Sequence, residues 1–285
     1  MTPTVGNASR PVVLPDRRPS RQEHPAAGGF RRSLAGALVV TWILLPMVPL
    51  VLWSVAGTWR APGVLPSSYS ADAVPLLIRN GTVAAAASSL LLGLSVAAVA
   101  TPLGMIGALA AQRLPRPLSR VVDLILLAPL AIPPFALVMG INISFLRLGL
   151  PAFVGVVLVL TVTALPYTAF MYRSALVSYD DRFEDVARTL GARPRQTILR
   201  VRLPLLTSAT ARAAFLAFLV GWGDYITTLL VGGGQLTTLP MLLGAAASAA
   251  GNEQLTAALS LALVVPPLVL LAALGLPLMS RKARS

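Results

Sequence analysis

The 285 residues carry ten carboxylates, 23 basic side chains, one histidine and no cysteine. The lack of cysteine excludes disulfides and thiolate metal sites. The one histidine, His24, lies in a polar N-terminal stretch, so a histidine-based catalytic or metal centre is excluded from the apolar remainder. Carboxylates and guanidinium groups are left, and they are unevenly spread. Four acids (Asp180, Asp181, Glu184, Asp185) and six arginines (Arg182, Arg188, Arg193, Arg195, Arg200, Arg202) fall within residues 180–204, between two long apolar runs. A single further acid, Asp224, stands inside one of those runs beside Trp222 and Tyr225. Groups of this kind form ion pairs and recognise charged partners. No Gly-x-x-x-x-Gly-Lys loop is present to cradle a nucleotide. The chain is therefore expected to bind no cofactor and to catalyse no reaction of its own.

The 180–204 stretch must be carried by local structure, and its apolar positions keep helical spacing. Phe183, Ala187 and Leu190 stand at i, i+4 and i+7, and Ile198, Val201 and Leu205 at i, i+3 and i+7. Between the two sets come Gly191, suited to a helix C-terminus, and Pro194, suited to the first turn of a new helix. The pattern predicts two short amphipathic helices with a tight bend, held at a membrane surface.

A membrane is implied by composition. The chain is 56% hydrophobic and only 12% charged, with mean hydropathy +0.78, against about 25% charged in soluble domains. Its net charge of +13 would ordinarily suggest nucleic acid. Here the basic residues sit in short segments between apolar runs, with no aromatic-interleaved basic patch, so nucleic acid is excluded as a partner. About 20 apolar residues cross a bilayer. The runs predict an all-α polytopic protein with six transmembrane helices, at about 34–56, 80–112, 121–143, 152–172, 207–231 and 255–279. Residues 1–32 read as a cytoplasmic tail, and 33–285 as one membrane domain. The first span has a rival reading as a signal peptide, but its apolar stretch is longer than such peptides carry.

Finer features follow the same division. Small residues at 84–89 would let helix backbones approach closely, within the chain or against another subunit. Pro129, Pro133 and Pro134 interrupt the third span, and Asp123 near its start is expected to pair with Arg120 or Arg116. Gly232, Gly233 and Gly234 with Pro240 predict an external, partly re-entrant segment. Asp224 either faces an aqueous path or a cationic solute, or is held by Thr227, Thr228 or Trp222; the residue pattern leaves both open. With the N-terminus inside, 20 of the 23 basic residues fall on the cytoplasmic side, leaving Arg60, Arg79 and Arg147 outside. Both termini and the 180–204 stretch are then cytoplasmic.

That stretch resembles the cytoplasmic pattern of ABC-transporter permeases of the binding-protein-dependent importer type: E-A-A-x-x-x-G, nine residues, then I-x-L-P. Asp185, Val186 and Ala187 fall on E-A-A, Gly191 on the glycine, and Val201 to Pro204 on I-x-L-P, with every spacing kept. Asp replaces Glu, and Val replaces both Ala and Ile. The small polar residue common after the glycine is absent. From Leu165, Pro166 and Tyr167 onward to Asn252, Glu253 and Gln254 the chain is similar to the spermidine/putrescine and ferric-iron branch. The Trp222 to Tyr225 cluster also looks like the carbohydrate branch.

The resemblance implies a permease in a prokaryotic inner membrane, forming half of a solute path. Its implied partners are two ATPase subunits that use the ATP, a second permease copy or homologue, an extracellular solute-binding protein and the surrounding lipid. Phe183, Leu190 and Ile198 would be apolar anchors on the ATPase. Gly191 would make the bend, and Asp185 would favour the first helix N-terminus or meet a basic residue of the partner. Ala187 and Pro204 complete the coupling stretch, and Asp224, Trp222 and Tyr225 are the candidates for the path. The implied solute is a polyamine or another small charged molecule, with a carbohydrate as the alternative. An ion-coupled secondary transporter would need several midplane ionisable groups and inverted repeats, and the chain shows one such acid and no repeat. An intramembrane protease would need two acids at mid-membrane depth.

Overall fold

A computed structural model describes residues 36–42, 44–59, 63, 65–180 and 182–282. The tail at 1–32, with His24, lies outside the described residues, as do Arg60, Asp181 and Arg284. The chain divides into two compact units, 1–46 and 47–285. The described part of the first is helix α1 (Gly36–Trp42) and a turn in which the Leu45 N–H donates to Thr41 O at 2.8 Å.

The second unit begins with α2 (Met47–Ser54) and a two-stranded antiparallel ribbon, β1 (Ala56–Thr58) and β2 (Ser68–Tyr69). Trp53 and Trp59 stack beside it with centroids 4.5 Å apart, and the Trp59 indole donates to Gly63 O at 2.8 Å. Then come α3 (Ala73–Arg79), α4 (Thr82–Arg113), α5 (Arg116–Ala131), α6 (Pro134–Arg147) and α7 (Ala152–Val177). The polar stretch forms α8 (Arg182–Thr189), α9 (Pro194–Thr197), a π-helical turn (Ile198–Arg202) and α10 (Leu203–Leu205). The chain closes with α11 (Thr207–Trp222), α12 (Ile226–Gly232), α13 (Leu239–Ala247) and α14 (Glu253–Lys282).

Helices α4, α7 and α11 form the centre, each packed on the other two. Lipid is as apolar as leucine, so such a core gains little from hydrophobicity and must gain from close backbone approach. Thr82, Ala85, Ser89, Leu92, Gly93, Val96, Ala97 and Ala100 are buried at helical period along α4, while Val83, Leu90, Leu91 and Leu94 of the same helix are exposed. The small-residue face of 84–89 is thus used within the chain through Ala85 and Ser89. A Cβ on Gly221 of α11 would meet the Gly93 Cα at 2.7 Å, so α4 and α11 cross where neither can carry a side chain. Ser89 also accepts the otherwise orphaned N–H of Leu239 at 2.9 Å, fixing the start of α13 on α4.

Three helices (α4, α7 and α14) are long and apolar enough to cross a membrane, and counting each bent helix pair as one span raises the number to six. The third span, expected at 121–143 with interruptions at its prolines, is bent rather than straight. Residues 121–143 are two helices, α5 and α6, meeting at 100°. Ile132 and Pro133 are extended (ψ 124° and 130°), and Pro133 and Pro134 lack the N–H groups that would continue α5. The expected fifth span, 207–231, likewise breaks between Trp222 and Ile226. A correction concerns Asp123: its partner is Arg173 of α7, at 2.5 Å, rather than Arg116 or Arg120 of its own helix. The pair ties α5 to α7.

Candidate functional site

The 182–205 stretch folds as a hairpin whose ends are made by its own sequence. Asp180 Oδ1 accepts the Arg182 N–H at 3.0 Å ahead of α8. Glu184 and Asp185 sit in the first turn and Arg188 in the last, each sign favoured by the helix dipole. Gly191 takes φ +82°. Its N–H donates to Arg188 O at 2.9 Å and that of Ala192 to Ala187 O at 3.0 Å, the paired bonds of a Schellman C-terminus. Pro194 then opens α9, where Gln196 Oε1 accepts the Arg193 N–H at 2.8 Å.

The interior of this hairpin is ionic. Glu184 is 4% exposed and Arg202 6%. Arg202 Nε donates to Glu184 Oε1 at 2.5 Å, joined by the Tyr179 hydroxyl at 2.8 Å. Arg188 reaches Glu184 Oε2 at 3.4 Å. Burial opposes the Glu184 charge, but the hydrogen bonds from Tyr179 and Arg202 and the charges of Arg202 and Arg188 outweigh it. Its carboxyl is held below the ordinary range. Burial likewise opposes the Arg202 charge and Glu184 outweighs it, so the guanidinium holds its proton more tightly than usual. A cleft of about 580 Å³ opens beside the pair, lined by Gln112, Arg113, Glu184, Asp185, Arg188 and Arg202.

The exterior is apolar. Phe183 is 57% exposed and Leu190 82%, with Val186, Ile198 and Leu199 also exposed. Ala187 is half-buried, and Pro204 lies at the surface, opening α10. Asp185 projects outward and pairs with Arg188 at 3.5 Å. The structure thus brings Phe183, Asp185, Ala187, Leu190 and Gly191 together on one limb, with Ile198 and Pro204 on the other. The sequence reading singled out neither Glu184 nor Arg202. The exposed apolar set includes Phe183, Leu190 and Ile198, the residues that the resemblance implies as anchors. The available signal was an acid and an arginine 18 positions apart on either side of the predicted bend.

The second candidate cluster lies at the far end of α11, a helix of 16 residues, or about 24 Å. Asp224 occupies the break before α12. Its carboxylate accepts the N–H groups of Thr227 (3.3 Å) and Thr228 (2.7 Å) and the Thr228 hydroxyl (2.9 Å). It acts as an N-terminal cap for α12. Trp222 is a core residue: 6% exposed, stacked on Phe218 and donating to Leu263 O at 2.8 Å. Its grouping with Asp224 on a path surface is corrected accordingly, because its indole belongs to the packing of α11 on α14. Tyr225 lies over Gly244 of α13, where a Cβ would meet its ring at 2.8 Å. Among the described residues no cluster of three or more metal-binding side chains occurs.

Comparison with known proteins points the same way. The family model described as binding-protein-dependent transport system inner membrane component matches residues 100–285. The molybdenum transport system permease protein ModB of Mycobacterium tuberculosis is 30% identical over 248 residues, covering 79% of this chain and 89% of that protein. A permease protein of Salmonella typhimurium, with a provisional assignment to 2-aminoethylphosphonate transport, is 26% identical over 84% of this chain and 90% of its own. The putrescine transport system permease protein PotI of Escherichia coli is 31% identical over 34% of each chain. Among solved structures, the MetNI methionine ABC transporter in inward-facing form gives a TM-score of 0.57 at 20% identity, covering 74% of this chain and 98% of that one. An amino acid ABC transporter with histidines gives 0.52 at 18%, covering 71% and 92%.

Proposed function

This chain belongs to the family of binding-protein-dependent transport system inner membrane components, and from that premise we propose that residues 182–205 are its docking element for a separate ATPase. The chain is a permease subunit of an ABC importer. On our reading it forms half of a solute path with a second permease copy or homologue, receives solute from an extracellular binding protein, and binds no nucleotide itself. Two ATPase subunits hydrolyse the ATP. Both termini and the hairpin lie in the cytoplasm, an orientation supported by the 20 basic residues assigned to that side.

The observation that carries the reading is the hairpin's inverted build. Large apolar side chains stand in water on a short helix, while Glu184 of that helix is turned inward onto Arg202. An exposed apolar face rimmed by Arg182, Arg188 and Arg195 fits a groove on another protein. Rigid-body motion of that protein would then be passed into α11.

The solute is proposed to be small and charged, a polyamine being one case. The names of the relatives support the broader class, since they span molybdenum, an aminophosphonate and putrescine. The polyamine case has little support from the site, because the three donors on Asp224 leave it poorly placed to receive a dication.

The test is Gly191→Pro. Proline cannot reach φ +82° and removes the N–H bonded to Arg188 O. The variant is expected to insert into the membrane at the normal level and to lose its ATPase on co-purification. Normal co-purification would defeat the docking role.

A further inference from the structure

Glu184 and Arg202 belong to opposite limbs of the hairpin, and their pairing does more than satisfy two charges. The main packing of α8 on its own chain is against α9 and the π turn. Its apolar side chains are exposed and contribute little to holding it there. The π turn ends on Arg202, and Leu206 four residues later is buried with Tyr172, Ala209 and Ala213 in a second core cluster at the foot of α11. The route from α8 into the spans therefore runs through Glu184, Arg202 and Leu206. Arg202 also lies over the Tyr179 ring at 6.0 Å, so the end of α7 joins the same knot. Without the pair, α8 would be tethered by the short connection to α7 at Asp180 and by the bend at Gly191, with nothing but that bend linking it to the second limb and α11.

Resting on the docking reading above, we propose that the Glu184–Arg202 pair is a positioning latch that makes α8 and α11 one rigid body, so that displacement of α8 by the ATPase reaches the spans instead of being absorbed at Gly191. Removing Glu184 leaves the buried Arg202 guanidinium without its carboxylate, and removing Arg202 leaves Glu184 held only from its own side, by Tyr179 and Arg188; either change uncouples the two limbs. Replacing arginine by lysine keeps the charge but gives up the planar donor geometry, so Arg202→Lys preserves the latch in part.

The chain has no cysteine, so pairs of introduced cysteines take spin labels without background. Labels at Thr189→Cys, exposed at the end of α8 and outside the docking set, and at Thr207→Cys in the full-length chain report the limb-to-α11 distance. One narrow distribution is expected in the parent, at least twice as broad in Glu184→Gln and Arg202→Met, and intermediate in Arg202→Lys. A second pair of measurements uses the complex with its ATPase subunits and a non-hydrolysable ATP analogue, with Leu118→Cys on α5 as the reference point. Both the 189–118 and 207–118 distances should shift on nucleotide binding in the parent. In Arg202→Met the first shift should persist and the second fall at least threefold. Unchanged widths would overturn the latch. So would loss of both shifts together with loss of bound ATPase, since that marks a merely structural pair. Retention of the ATPase by Gly191→Pro would instead defeat the docking reading, leaving the 189–207 widths to decide the latch alone.

Discussion

The membrane body and the hairpin both expose large apolar side chains, and for opposite reasons. In the body, Leu90, Leu91 and Leu94 face outward from a core of alanine, glycine, serine and valine, as suits a helix bathed in lipid. In the hairpin, Phe183, Val186 and Leu190 face outward from a core of glutamate and arginine, on a segment too polar to enter lipid. Exposure alone cannot separate the two cases. What lies behind the exposed residue does: backbone-to-backbone packing in one region, a buried ion pair in the other.

Placing the same charge on both surfaces separates the two cases most strongly. An aspartate at a helix centre costs about 2.5–3.5 kcal/mol of membrane insertion. Leu94→Asp, in the middle of α4, should therefore lower the amount of inserted protein by about 10-fold or more, a 1.4 kcal/mol difference being tenfold. Leu190→Asp should leave insertion unchanged, because that position is 82% exposed outside the spans. Its effect should appear as ATPase association weakened about tenfold, comparable to losing a hot-spot contact of about 1–2 kcal/mol. Quantitative blotting of membranes and pull-down of the ATPase measure the two. Equal insertion defects would erase the distinction between the surfaces.

A smaller effect contrasts the two buried or half-buried acids. Glu184 has, besides Tyr179 and Arg188 nearby, a partner 18 positions away in Arg202, whereas Asp224 is satisfied wholly within four residues, by the first turn of α12. Losing a local cap costs about 0.5–2 kcal/mol, and asparagine caps nearly as well as aspartate. Asp224→Ala should thus lower the thermal midpoint of the purified protein by a few degrees, and Asp224→Asn should leave it close to the parent. An uptake defect in Asp224→Asn with an unchanged midpoint would return this carboxylate to the solute path.

The contrast between local and distant satisfaction also explains what the sequence could and could not disclose. Helices α4, α7 and α14 were legible because each needs only its own uninterrupted apolar run. The bend at Gly191 was legible because a Schellman end uses neighbouring residues. The 100° break at Pro133 was legible as a prolyl interruption, but its angle depends on how α5 and α6 pack, which one strand of text does not carry. Asp123 was assigned to the nearest arginines, while the partner it meets lies 50 residues on. Glu184 was passed over for Asp185 because the family pattern marks the latter, and the side facing inward was set by Arg202 across the hairpin. Legibility ended where a contact joined distant parts of the chain.

Acidity provides the finest test of the ionic core. Glu184 has its carboxyl pKa depressed, so its contribution to hairpin stability is fully present above the unfolded value, about 4.3, and is lost as pH falls through the lower folded value. Arg202 and Tyr179 are both shifted upward, so neither changes charge near neutrality. The only histidine of the chain, His24, lies far from this segment in sequence. The limb-to-α11 distance distribution should therefore stay constant between roughly pH 5.5 and 8.5 and broaden only below about pH 4.3. The physical content lies in the flatness. A lipid-facing surface would be equally flat but would not broaden in acid, whereas a weakly paired glutamate in a low-dielectric pocket would titrate upward and loosen the hairpin within that range. Broadening in that middle range would mean that burial, and not Arg202, governs Glu184, and the ionic core would lose its claim to hold the hairpin.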